Sequence, residues 1–142
     1  MPYLYAELSQ LLGEIVKKIV KPEKIVEGSA LLKLDLNSND NLLEAKNIDI
    51  GFGAKKYLKE LKIADKTKLF FFLDCQKILQ NLAQKIIDKS PLKYKIIRGL
   101  SSLHPSVMLN NSNIGLTQFN IVLEVLHNAN QITATVAERG KD

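Results

Sequence analysis

Seven positions between Asp65 and Pro91 constrain this chain more than any others. Leu69, Phe72, Leu73, Gln76, Leu79, Ala83 and Ile86 recur at intervals of three and four, and all but Gln76 are apolar. That period places them on one face of a long α-helix, with Asp65 upstream and Ser90-Pro91 downstream as its bounds. The stripe predicts the central buried element, with Leu73, Leu79, Leu82 and Ile86 lining the core. An earlier stripe of Leu4, Leu8, Leu11, Leu12, Ile15, Val16 and Ile19 predicts a second helix, which Pro22 closes. A short helix is expected over residues 53–63, with Tyr57, Leu58 and Leu61 inward and Lys55, Lys56, Lys59 and Lys62 outward. Ser90 caps a further helix whose first position is Pro91 and which runs to about Gly99. Pro105 marks a boundary, residues 110–113 read as a polar loop, and final helices are expected over 115–127 and 132–139. In the first of these, Phe119, Val122, Leu123 and Leu126 share a face.

Residues 26–52 follow no helical period. Leu32, Leu34 and Leu36 alternate with Lys33 and Asp35, a polar run at 37–41 interrupts the chain, and Ile48, Ile50 and Phe52 alternate again before Gly53. Two readings stay open: a minor two-stranded β element between residues 31 and 52, or an irregular linker packed on the core. The expected fold class is therefore mainly α, an irregular multi-helix bundle forming one helical domain over residues 1–142. The helix rising through Thr133–Arg139 stops close to the last residue, which suggests a piece of a longer protein.

A chain of 142 residues can bury most of its apolar surface, and 46% hydrophobic with 25% charged residues is too apolar for disorder. No apolar run approaches the ~18 residues that span a bilayer, so no membrane partner is expected. A lone cysteine, Cys75, excludes an internal disulfide framework and suits a reducing, intracellular compartment. The net charge of +5 is carried almost wholly by lysine, Arg98 and Arg139 being the two arginines. These lysines are spread along every segment and mixed with acids, the pattern of a solvated surface more than of a phosphate-binding face.

Chemistry-bearing residues are sparse. His104 and His127 lie far from Cys75 in sequence, so no metal-ligand spacing exists, and no cofactor or metal is expected. Cys75 sits inside the strongest helical pattern, where a small buried apolar role is expected. His104 precedes Pro105 in an extended turn that leaves it exposed or bonded to nearby backbone. Of the aspartates, Asp35 and Asp40 read as turn formers, Asp65 as a helix start and Asp74 as a helix flank, while Asp49 has no motif around it. Gly51-Phe52-Gly53 lacks the third glycine of a dinucleotide fingerprint and the Gly-Lys-Ser/Thr of a Walker loop. It reads as a tight turn that seats Phe52 in the core and starts the next helix. Lys93, Lys95 and Arg98 around Tyr94 form the best local nucleic-acid signal in the chain.

An ordered set of segments carries a wider likeness: Pro2-Tyr3-Leu4, Lys21-Pro22-Glu23, Asp49-Ile50-Gly51-Phe52-Gly53-Ala54, Asp74-Cys75-Gln76-Lys77, Lys89-Ser90-Pro91-Leu92-Lys93-Tyr94 and Arg98-Gly99-Leu100-Ser101-Ser102-Leu103. Together they resemble the all-helical insertion that interrupts the ribonuclease-H-like domain of hAT-superfamily transposase-like proteins. The resemblance implies a nuclear, DNA-associated ancestor, and as partner either another protein or the remainder of a transposase-like chain. It carries no activity over. None of the family's three catalytic acids maps onto a position here, and the zinc-binding finger and the Cys-x-x-His element are absent. Two functions of different class follow. The first is a non-catalytic helical module for architecture or protein contact. The second is a DNA-backbone-contacting module using Lys93, Lys95, Arg98, Lys55, Lys56 and Lys59.

Overall fold

The longest run of fully enclosed side chains comes from the N-terminal stripe. α1 (Leu4–Ile19) begins with Glu7 in its first turn and ends with Lys17 and Lys18, charges that suit the two ends of a helix. Its C-terminal half buries Leu12, Ile15, Val16 and Ile19. A computed structural model of the chain describes residues 3–110 and 112–140. These form two compact units, one of residues 11–89 and one of residues up to 10 together with those from 90 onward.

In the unit of residues 11–89, the segment after α1 is built of 3₁₀ turns over Pro22–Lys24, Gly28–Lys33 and Ala45–Asn47. It returns along the end of α1, where Lys21 N–H donates to the Asn41 carbonyl, Leu43 N–H to that of Ile19 and Asp49 N–H to that of Lys18. Leu31, Leu36, Leu42 and Ile48 from this segment join the α1 residues and Val20 in the core. α2 (Phe52–Glu60) and the 25-residue α3 (Asp65–Lys89) follow. α3 meets the irregular segment through amides as well as methyls. The Gln76 side chain donates to the Leu43 carbonyl at 2.7 Å and that of Gln80 to the Leu36 carbonyl at 2.8 Å. A segment without a ladder must find partners for its buried carbonyls, and these two glutamines supply them.

In the other unit, Ser90 caps a 3₁₀ turn at Pro91–Lys93, followed by α4 (Lys95–Leu100), a second such turn at Ser101–Leu103, α5 (Pro105–Asn110), α6 (Ser112–Asn128) and α7 (Ala134–Arg139). α4 lies against α6 at Gly99, where an added Cβ would stand 2.6 Å from Val122 Cγ2 and 3.0 Å from the Gln118 carbonyl oxygen. Val122, Leu123, Leu92, Ser101 and Ser102 are buried here. The Ser101 hydroxyl donates to the Arg98 carbonyl at 2.6 Å, with the Gln118 side-chain amide 2.8 Å away. Thr133 caps α7 through its side-chain oxygen.

The mainly α fold class is as expected, and one of the two readings open for residues 31–52 is decided. Several other local expectations are not met, among them an inward Tyr57, which is 63% exposed, and one continuous helix from Pro91 to about Gly99, which is a 3₁₀ turn followed by α4 from Lys95. The described residues contain no strand; one isolated antiparallel bridge, Val20 to Leu42, stands where a two-stranded element had been an option, and the packed irregular linker is what forms. α3 is a helix but not the central buried one. Of its side chains only Gln76 and Ala83 are buried, and Leu69, Leu73 and Leu82 are exposed, because the irregular segment covers a narrow strip of the helix rather than a wide face. Phe52 is 84% exposed, not seated in the core. Gly51 turns the chain with φ 85° and ψ 153°, a backbone state open essentially to glycine alone, and this aims the first residue of α2 into solvent. Lastly, Ser112 and Asn113 belong to α6 rather than to a polar loop, while Asn111 lies outside the described residues.

Candidate functional site

Asp49 organises a charged cluster in the unit of residues 11–89 that links three elements. Its Oδ1 accepts from Gly51 N–H at 3.0 Å, closing the turn into α2, and lies 3.2 Å from Lys55 Nζ on α2. Its Oδ2 lies 3.2 Å from Lys18 Nζ at the end of α1. The Gly51 amide first, then the Lys18 and Lys55 ammonium groups, hold this carboxyl down to about 2. One anion against two cations leaves the cluster positive.

Beside the cluster opens a groove of about 320 Å³, lined by Lys18, Asp49, Ile50, Gly51, Ala54 and the α3 residues Phe71, Cys75, Ile78 and Leu79. It is mostly apolar and lies wholly within this unit. Three of its α3 residues belong to a second stripe on that helix. Phe71, Cys75, Ile78 and Leu82 follow one another at spacings of four, three and four, turned by roughly 100–160° from the Gln76 face at ~100° per residue. Phe71, Ile78 and Leu82 are exposed, Ile78 at 64%. The second stripe has four positions against seven in the first, a weaker signal in the sequence, and Leu82, expected in the core, belongs to it. Cys75 is half-buried; burial first, and the Asp74 carboxylate second, push its thiol above the ordinary cysteine range. A thiol held in its neutral form is a poor nucleophile and a poor metal ligand.

The six basic residues singled out in the sequence divide between the two units. Lys55, Lys56 and Lys59 stand exposed on α2, and Lys55 is engaged by Asp49. In the other unit Lys93 lies 5.5 Å above the Tyr94 ring, Lys95 opens α4, and Arg98 is half-buried in its last turn. His104 accepts from Ser106 N–H through Nδ1 at 3.1 Å and meets the Tyr3 ring edge-on at 4.3 Å, the local bonding expected of it. Asp35 closes a turn by accepting from Asn37 N–H, and Asp65 begins α3. Among the described residues no three His, Cys, Asp or Glu side chains gather as a metal site, and no helix is long and apolar enough to cross a membrane.

A second concavity, in the other unit, is lined by Asn120, Leu123, Glu124, His127, Ala134, Ala137 and Glu138 between α6 and α7. His127 in its lining is exposed. No protein-family model, curated protein or solved structure matches the chain.

Proposed function

We propose that this chain is a non-catalytic helical module whose work is protein contact, the architectural or interaction role that its resemblance to a transposase insertion implies. One observation carries the reading: α3 keeps Phe71, Ile78 and Leu82 in solvent beside an apolar groove while its opposite face is already occupied. Large apolar side chains aligned along a helix and rimmed by charge are the ordinary mark of a docking surface. Lysines on α2 and around α4 supply the alternative, a DNA-backbone contact. It draws less support, since Lys55 is engaged by Asp49 and the α2 set contains no arginine to form a fork.

A photo-reactive amino acid placed at position 78 of the full chain in cells tests this. Discrete protein adducts are expected, and they should fade when Leu82→Ser is added. In parallel, fluorescence anisotropy with duplex DNA at about 50 mM salt should show no binding that falls off steeply as salt rises. Nucleic-acid adducts, or a steep salt-dependent DNA affinity removed by Lys93→Glu with Arg98→Glu, would replace protein contact with the DNA reading.

A further inference from the structure

The exposed α3 stripe also specifies the charge of what it binds, an inference that rests on the protein-contact reading. From Phe71 to Leu82 the stripe covers twelve residues, eleven rises of 1.5 Å or about 17 Å, matching three turns of a partner helix. Its neighbours on the same side of α3 are Lys68, Lys85 and Lys89, with Asp74 at the rim as the nearest acid on that helix. The groove alongside adds the Lys18–Asp49–Lys55 cluster, which retains a positive charge.

Self-pairing fits this face poorly in either direction. An antiparallel second copy that matched Phe71 with Leu82 and Cys75 with Ile78 would bring Lys68 opposite Lys85, twice by symmetry. A parallel copy would set each lysine against itself. Like charges at such flanking positions oppose the pairing, as they do in coiled coils. Acidic flanks turn the same positions into attractive ones.

We infer that the Phe71/Cys75/Ile78/Leu82 face and its groove receive one amphipathic helix of another protein, with apolar residues at alternating spacings of three and four and glutamate or aspartate on both flanks. Lysine flanks set its orientation and association rate, and the apolar stripe supplies most of the affinity. Cys75, the single cysteine, sits inside the covered strip and reports occupancy directly.

The probe is a pair of synthetic helical peptides with identical leucine stripes, one flanked by glutamate and one by lysine, titrated into the full chain. The glutamate peptide should bind at least tenfold more tightly, weaken as salt rises, and slow maleimide labelling of Cys75 severalfold at saturation. Ile78→Asp should abolish both effects while leaving the circular dichroism spectrum unchanged, because Ile78 is largely exposed. The partner assignment is overturned by equal binding of the two peptides, by no binding of either, or by a wild-type dimer in sedimentation that Ile78→Asp dissolves. If protein adducts at position 78 persist through such a result, the contact surface stands and only its acidic partner is lost. If the adducts are missing as well, both readings fail.

Discussion

Replacing Gly99 by alanine sets two effects of known sign against each other. In isolation the change favours the helix, by about 1 kcal/mol. At this site the new Cβ would lie 2.6 Å from Val122 Cγ2, 3.0 Å from the Gln118 carbonyl oxygen and 3.3 Å from Val122 N. Two of those three atoms are backbone, and a valine in a helix has one strongly favoured rotamer, so α6 must move away from α4 rather than a side chain swing aside. Overpacking of this sort costs about 1–3 kcal/mol, and a conflict with backbone belongs in the upper part of that range. The net expectation is a loss of about 1–2 kcal/mol after the propensity gain is subtracted. Gly53→Ala in α2 is the control. Its Cβ would meet nothing within 4 Å, so it should be neutral or stabilising by up to about 1 kcal/mol. Urea denaturation followed by circular dichroism measures both, read as midpoint shifts at constant slope. In the Gly99→Ala background, Val122→Ala should cost less than it does alone, by about 1 kcal/mol of coupling. A Gly99→Ala protein as stable as wild type, or without coupling to Val122, would refute the close-contact argument.

Leu12 is fully enclosed, so Leu12→Ala should cost about 2–5 kcal/mol, whereas Leu82→Ala, at a 45% exposed position, should cost under about 1 kcal/mol; thermal and urea unfolding rank the two, and the reverse order would return α3 to the centre of the core. Gln76→Leu keeps the volume but strips the Leu43 carbonyl of its donor, for an expected loss of about 1–3 kcal/mol in the same assays. Asp49 titrates below an unfolded carboxylate because its charged form is held by Gly51, Lys18 and Lys55, so its contribution is present above the unfolded value near 4 and lost as pH falls toward about 2. Asp49→Asn should flatten the acid limb of the stability–pH curve, and an unchanged limb would show that the cluster does not couple to folding.

Helices were written into the chain, and so were several of their bounds: Pro22 after α1, Ser90-Pro91 after α3 and Pro105 at the start of α5. Local backbone chemistry decides those features, and local chemistry is what adjacent residues display. The six basic residues were legible as charge, but not that Asp49 would claim one of them, since Lys18, Asp49 and Lys55 meet only after α1, the turn at Gly51 and α2 are assembled. Two apolar stripes could likewise be counted on α3, at Leu69–Ile86 and at Phe71–Leu82. Periodicity states that a face is apolar, and it says nothing about which neighbour arrives to cover it. The irregular segment 31–48 offers carbonyls as well as methyl groups, so it settled on the strip holding Gln76, Gln80 and Ala83, where amides could satisfy it. That choice, made by hydrogen-bond satisfaction across more than thirty residues of separation, placed α1 rather than α3 at the centre and left the second stripe open to solvent.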